Sequence, residues 1–412
     1  MSTIATLLRD RRYLAFWAGQ VTSVIGNSIG LVALPALILP ARGPQAFGVI
    51  LAAEAAASVL LLLAGGVIAD RYSRSLVMAV SDVVRVVGVL GLIAFGARGP
   101  LWLPIVAGCL LGIGGALYEP AHRAALPQLV GPELRQQANA LDSSTKRIGA
   151  AVGALIGAGL VTLLSARGAL VVDVATFAVS LATLLWLKLP RVAETEAGKG
   201  MGAMLGEARD GIREVRRRPW ALVIMLQGTV QVFFLFAPNY TLVPIVSQER
   251  FGPAAYGWLS ASASVGMVLG SALAGRVRTR RAGVWAMNAL LPCALLPLCL
   301  AVPVPLWAWC VAEVLAWAGI GVFVVLWFTA LQTEFPAEVQ GRVFALESIG
   351  NFALQPIAIA VAPLLALTVG LPVFALVAVV VLLATTYGVF AVRGVAALRS
   401  PADDGVDLAA VR

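Results

Sequence analysis

The sequence predicts an all-α membrane protein: twelve transmembrane helices in two pseudo-symmetric six-helix bundles. Three observations carry that prediction. The chain is 412 residues long, 60% hydrophobic and 12% charged, with mean hydropathy +0.91, a balance that no ordinary soluble domain has. Between Tyr13 and Arg393 the chain is a train of apolar stretches, each an unbroken run without the period-two alternation of a transmembrane β-barrel. Finally, the second half repeats the first. Gly43-Pro44-Gln45-Ala46-Phe47-Gly48 recurs as Gly252-Pro253-Ala254-Ala255-Tyr256-Gly257, 209 positions later. Ala69-Asp70-Arg71 recurs as Ala274-Gly275-Arg276, and Ala140-Leu141-Asp142-Ser143 as Ala345-Leu346-Glu347-Ser348, both at an offset of 205. The change of four between the offsets is about one helical turn. Parallel repeats of this length are a transporter device, with the substrate site between the halves.

Taken in order, the spans fall at roughly 13–39, 47–69, 76–97, 101–118, 145–165, 168–188, 221–246, 255–275, 283–302, 305–330, 343–369 and 371–392. Most are long enough for a hydrocarbon core of about 30 Å at 1.5 Å per residue. The chain therefore divides into a first six-helix lobe at 1–188, a linker at 189–220, a second lobe at 221–392 and a tail at 393–412. In the linker, Met201, Met204, Leu205, Ala208, Ile212 and Val215 recur at helical spacing with charges between them. That pattern predicts an amphipathic helix on the membrane surface. Arg11 and Arg12 precede the first apolar run, which is too long for a signal peptide and reads as an uncleaved first helix.

Basic residues set the orientation. With the N-terminus inside, 25 of the 30 Lys and Arg residues face the cytoplasm and four (Arg42, Arg98, Arg167, Arg250) face outward. Such a bias predicts both termini in the cytoplasm. It also accounts for the net charge of +9 through anionic lipid headgroups, with no nucleic acid as partner. Arginine outnumbers lysine 27 to 3, a GC-rich bacterial habit that suggests an inner membrane. Cys109, Cys293, Cys299 and Cys310 all fall in spans without a C-x-x-C pair, so neither disulfide nor metal is expected. The one histidine, His122, falls in a predicted cytoplasmic loop and builds no metal site alone. No cofactor is implied.

Gly66-Val67-Ile68-Ala69-Asp70-Arg71-Tyr72-Ser73-Arg74-Ser75 follows the second span. It resembles the G-x-x-x-D-R-x-G-R-R signature of the major facilitator superfamily, with Gly66, Asp70, Arg71 and Arg74 matching and Ser73 and Ser75 departing. The copy from Ser271 to Arg280 keeps Arg276 but has Gly275 for the acid. A carboxylate at a helix end can meet the positive end of another helix's dipole. The resemblance implies that Asp70 faces the start of the eleventh helix and holds the inside closed, while Arg74 pairs with Glu119. Topology anchoring is the plainer reading of Arg71 and Arg74.

In the fifth span Gly149, Gly153, Gly157 and Gly159 form a small-residue series suited to close helix approach. The series is similar to the G-x-x-x-G-P-x-x-G-G signature of drug:proton antiporters, with Ala154 for Pro and Ala158 for the next Gly. The stretch Glu119 to Val130, then Ala138-Asn139-Ala140-Leu141 and Val172 to Phe177, resembles the branch with the enterobactin exporter and macrolide efflux proteins.

Charged residues inside a bilayer are costly and mark pathways or pairs. Glu313 falls in the tenth span, about eight residues from its outer end, and Glu54 at comparable depth in the second. The resemblance implies that helices one, four, seven and ten line a central cavity, which makes Glu313 the leading proton-coupling or substrate candidate and Glu54 the next. Asp82 and Arg85, at i and i+3, predict a structural ion pair, and Asp173 a hydrogen-bonding partner for its neighbours. Gln20, Ser23 and Asn27 on the first helix match Gln227, Gln231 and Asn239 on the seventh. Phe233, Phe234, Phe236, Trp317 and Trp327 offer apolar pocket walls, whereas Trp102, Trp258, Trp307 and Trp309 read as interface anchors.

The expectation is a secondary active transporter, not an enzyme: no H-E-x-x-H, G-x-S-x-G or nucleotide-binding loop occurs. The resemblance implies proton-coupled export of amphipathic small molecules by a monomer in a lipid bilayer. Import of a metabolite or siderophore, and lysophospholipid transport, are the alternatives.

Overall fold

The computed structural model describes residues 7–187, 211–276 and 281–396. Among them ten helical stretches are long and apolar enough to cross a membrane. Two are double length. Helix α1 (Arg11–Arg71) has 61 residues and α4 (Arg135–Leu187) has 53. At 1.5 Å per residue they would reach about 90 and about 80 Å if straight, far beyond a hydrocarbon core of about 30 Å. Each is broken once, at Gly43 (φ 78°, ψ 177°) and at Ser165 (φ 84°, ψ 165°), so each supplies two of the twelve expected passes. The fold is all-α, as the composition predicts.

The turn at Gly43 is built from its sequence. Glycine alone takes φ near +78° without steric cost, and Pro44 behind it fixes φ for the first turn of the next helix. Gly99-Pro100 and Gly252-Pro253 repeat the device with the same sign of φ. Ser165 does not: it is the one non-glycine residue with positive φ among those described. Its hydroxyl accepts from the Gly168 amide at 3.4 Å, which offsets part of the strain. We expect Ser165→Gly to stabilise the protein by about 0.5–1 kcal/mol. The check is a thermal-unfolding comparison in detergent, and an unchanged or lowered Tm would show that the hydroxyl contact outweighs the backbone strain.

The remaining helices are α2 (Arg74–Phe95), α3 (Trp102–Leu129), α5 (Pro219–Gln231), α6 (Ala237–Phe251) and α7 (Ala255–Ala274). They are followed by α8 (Ala282–Ala289), α9 (Leu295–Ala301), α10 (Leu306–Glu334), α11 (Ala337–Phe352), α12 (Gln355–Val369) and α13 (Leu371–Gly388). Three predicted single spans are interrupted. Between α5 and α6 lies a five-residue π turn, Val232–Phe236, which keeps the chain helical with one residue more per turn. Pro292 and Pro297 split the ninth span into α8, a 3-10 turn and α9. Ala353 and Leu354 separate α11 from α12.

The chain forms two compact units: residues 1–198, 240–264 and 355–368, and residues 199–239, 265–354 and 369–412. In the first, α1 packs on α3 and α4, around Ile29, Val32, Ile38, Phe47, Ile50 and Phe177. In the second, Trp220, Ile224, Met287, Trp327 and Leu331 build one core, and Leu290, Cys293, Ala316 and Leu382 another. Most of the predicted linker helix lies outside the described residues. Its last turn, 211–216, is helical, with Val215 fully buried in the second unit's core.

Candidate functional site

Glu313 sits in α10 and is 4% exposed. Trp309 donates its indole N–H to Oε1 at 3.2 Å, and Trp317 donates to Oε2 at 3.0 Å. The spacing explains the geometry, since i−4 and i+4 place both indoles on the glutamate's own helix face. Among the described residues no cation pairs with Glu313. Cys293, on the 3-10 turn before α9, is fully buried and donates to the Ala316 carbonyl at 3.6 Å on this face of α10. Trp309 corrects the sequence reading. It is fully buried rather than an interface anchor, while Trp102, Trp258 and Trp307 are 61%, 52% and 72% exposed. Position near a helix end made all four look alike, but the buried carboxylate one turn away gives Trp309 a partner inside the unit.

A second set of polar residues gathers where α1, α3 and α4 bring their arginine-rich ends together. His122 is 1% exposed, stacked on Phe16 at 4.7 Å and on Tyr118 at 5.6 Å. Its Nε2 lies 2.8 Å from Asp142 Oδ1. Lys146 links Asp142 at 3.5 Å to Glu119 at 3.0 Å, and Arg123 reaches Glu119 at 3.5 Å. Trp17 closes the group by donating to the Thr145 hydroxyl at 2.8 Å. The predicted loop after residue 118 is thus largely helix: α3 runs on to Leu129 through Pro120 and Pro127. His122 is a buried pairing residue there rather than a loop residue.

Candidates on the first and seventh spans divide. Gln20 and Ser23 in α1, and Gln227 in α5, are buried, and none of their side-chain polar atoms has a hydrogen-bond partner among the described residues. Gln231 instead donates to the hydroxyls of Thr385 and Thr386 at 2.9 and 3.0 Å, which ties α5 to α13. Asn27 is exposed, and Asn239 and Trp317 are half-buried. Trp327 packs edge-on against Trp220 at 6.1 Å and stacks on Phe323 at 6.3 Å, as core.

The small-residue series in α4 is a two-sided seam. A methyl added at Gly149 would stand 2.9 Å from Val24 Cγ1, and one at Gly153 2.6 Å from the Ile25 carbonyl. At Gly157 it would stand 3.1 Å from Ile29 Cα, so these three faces receive the first half of α1. Gly159 faces open space. Ala154 and Ala158 lie on another side, where a methyl on Gly257 of α7 would come within 2.6 Å of Ala158 Cβ.

Residues 16–252, more than half of the chain, match the family description Major Facilitator Superfamily. The chain belongs to the Major Facilitator Superfamily. Within it, the chain resembles macrolide efflux protein A of Streptococcus pyogenes, at 24% identity over 275 residues, 64% of this chain and 66% of that protein. The matched stretch thus spans just under two thirds of that relative's own length. Among solved structures it is similar to a peptide transporter POT in complex with alafosfalin, with TM-score 0.71 and 12% identity over 94% of this chain and 95% of that one. The nucleoside transporter NupG gives TM-score 0.69 and 11% identity over 92% and 98%. The two structural likenesses show the shared fold. It is an integral membrane transporter fold, and the residues of its signature, Gly66, Asp70 and Arg71, close the second half of α1 in helical geometry. The signature's last match, Arg74, begins α2, two residues after the exposed Tyr72.

Proposed function

We propose that this transporter exports amphipathic small molecules in exchange for protons, by alternating access, from the inner membrane of a bacterium with both termini in the cytoplasm. It works as a monomer. The observation that carries the reading is Glu313: a carboxylate buried in a transmembrane helix, offered two indole donors and, among the described residues, no cation. Such a group is held for exchange rather than for stability, because a buried ion without a partner costs several kcal/mol. A proton arriving from outside neutralises it and displaces substrate; release of the proton inside resets the site. The efflux relatives support the direction. In the second unit Gln227, buried with a free amide, is suited to a ligand's polar groups and the half-buried Trp317 to its apolar part; Gln20 of the first unit, likewise buried with a free amide, is a separate polar candidate. Glu54 serves as the secondary acid.

The gate assignment follows from the signature. Asp70, at the last turn of the second pass, meets the dipole of another helix when the inside is closed, with Arg74 and Glu119 pairing beside it. Asp70→Asn is expected to insert normally and to lower transport several-fold. Normal transport by a well-expressed Asp70→Asn protein would remove that role. The whole reading is tested in everted vesicles with an acidic interior. They should accumulate an exported dye, and a protonophore should abolish uptake. Uptake that survives collapse of the gradient excludes proton drive, and transfer of a labelled lysolipid by dye-inactive vesicles points to lipid transport instead.

A further inference from the structure

Three acids and one base occupy the interior of the membrane spans of the first unit: Glu54, Asp82 and Asp173 against Arg85. The base is already committed. Arg85 Nη1 stands 3.8 Å from Asp82 Oδ1, Nη2 donates to the Gly114 carbonyl at 3.4 Å, and Cζ lies 4.6 Å from the Tyr118 ring centroid. Asp82 is fully buried, with Ser180 donating to its Oδ2 at 2.7 Å. The two charges compensate each other, although Asp82 Oδ1 and Arg85 Nη1 make no hydrogen bond among the described residues. Glu54 is half-buried.

Asp173 is different. It is 3% exposed, Oδ1 has no hydrogen-bond partner among the described residues, and no cation pairs with it. The Thr176 hydroxyl one turn on donates at 2.7 Å to the backbone carbonyl of Asp173. The carboxyl is set into a notch in the first half of α1. A methyl added at Gly30 would stand 2.6 Å from Oδ2, and one at Gly26 2.8 Å from Oδ1. Glycines there let the carboxyl touch the helix backbone, which offers no cation and, within a helix, no free amide. The charged group that acts on it is Arg85, at longer range, and Arg85 is shared with Asp82 and Glu54. An ion in such a place is unstable, and a neutral acid is not.

We propose that Asp173 is a proton-binding site separate from Glu313, whose occupancy sets how closely the first half of α1 packs against the second half of α4. With the proton on the carboxyl, the group is neutral and fits the Gly26–Gly30 notch. When the proton leaves to water, a bare carboxylate faces two glycines and the helices must part to hydrate it. The notch brackets Asn27 and adjoins the turn holding Ser23, so the proton acts on the helix segment that carries candidate ligand groups.

The proposal deepens the proton-driven reading above, and its test is separable from that reading. Protein with carbonyl-labelled aspartate is reconstituted and its infrared spectrum recorded across pH. At neutral pH an isotope-shifted carboxylic C=O band is expected, titrating away in alkali, absent from Asp173→Asn and retained in Asp82→Asn. Absence of that band from the labelled parent at neutral pH overturns the proposal without any variant. So does a band that survives in Asp173→Asn or that vanishes in Asp82→Asn. If Asp173→Asn fails to fold, the labelled parent and Asp82→Asn still decide. Proton-driven flux in the same proteoliposomes keeps the readings apart: flux without the band defeats Asp173 alone, and the band without flux defeats the export mechanism alone.

Discussion

Glu313→Gln is expected to abolish proton-driven efflux, by roughly tenfold or more, about 1.4 kcal/mol or above in the coupled step, while leaving substrate exchange measurable. The carboxylate presents an acceptor oxygen to each of Trp309 and Trp317, at 3.2 and 3.0 Å. Glutamine keeps the shape but has one carbonyl and one NH2, so one indole N–H faces a donor. A buried donor left without an acceptor costs about 1–3 kcal/mol. The variant is thus fixed in the neutral form and loosened at one tryptophan. Trp317→Phe should remove one of the two donors and keep the acid, giving a partial loss of coupling. Glu54→Gln should do less than Glu313→Gln, since Glu54 is half-buried and has no comparable pair of donors. The measurement is efflux against exchange for all three variants at equal expression. If Glu313→Gln pumps like the parent and Glu54→Gln does not, coupling belongs to Glu54.

The largest expected loss of stability is at Gly319. A methyl there would collide with the Ala289 carbonyl of α8 and stand 3.1 Å from its carbon. Gly266 and Gly270 of α7 receive α10 in the same fashion, the first at 2.9 Å from Val314 Cα and the second at 2.6 Å from the Ala318 carbonyl carbon. Backbone cannot give way as a side chain can, so Gly319→Leu should push α8 off α10 and cost about 3 kcal/mol or more. Gly159→Leu is the control, because nothing stands within 4 Å of that position. Fluorescence-detected size exclusion and thermal unfolding should show aggregation or a large fall in Tm for Gly319→Leu and parental behaviour for Gly159→Leu. A monodisperse Gly319→Leu protein with the parental Tm would mean that the two helices have room to separate.

The topology was legible because bilayer thickness writes itself into sequence as run length, and because turns need Gly and Pro where φ changes sign. The superfamily signature and the small-residue series were legible for a related reason: both are local patterns. What was not legible depends on which face meets which partner. Trp309 was read from its position near a helix end, yet its role is decided by Glu313 one turn away and by its burial. The repeat itself holds a clue that pattern matching passes over. At the 205 offset, Gly108 and Gly112 of α3 correspond to Glu313 and Trp317 of α10. Gly108 and Gly112 let the second pass of α1 approach, a methyl at Gly108 standing 2.9 Å from the Ile50 carbonyl. In the second unit the corresponding approach of α7 to α10 is served by Gly266 and Gly270 on α7. Gly321 on α10 adds to that approach one turn further on, and the two α10 positions that match the α3 glycines carry an acid and an indole instead. Asp173 was read as a hydrogen-bonding partner for its neighbours, yet its Oδ1 has no partner among the described residues; its surroundings are defined by what two glycines leave out, and no spacing rule announces an absent partner.

The π turn at Val232–Phe236 has a geometric consequence of its own. A π turn holds one residue more than the α turn it replaces, so it is a stretch of helix with slack wound into it. If the turn tightened to α geometry, everything after Phe236 would rotate by about 100° around the helix axis and shift by about 1.5 Å along it. Ala237–Phe251 would move as one rod, carrying Pro244 and Tyr240 with it, and no covalent or intrahelical hydrogen bond beyond the turn itself would need to break. The chain passes from one compact unit to the other at Asn239 and Tyr240, within one turn of this winding point. A single pass of the chain thus contains both the boundary between the units and, just before it, a turn wound with one residue to spare.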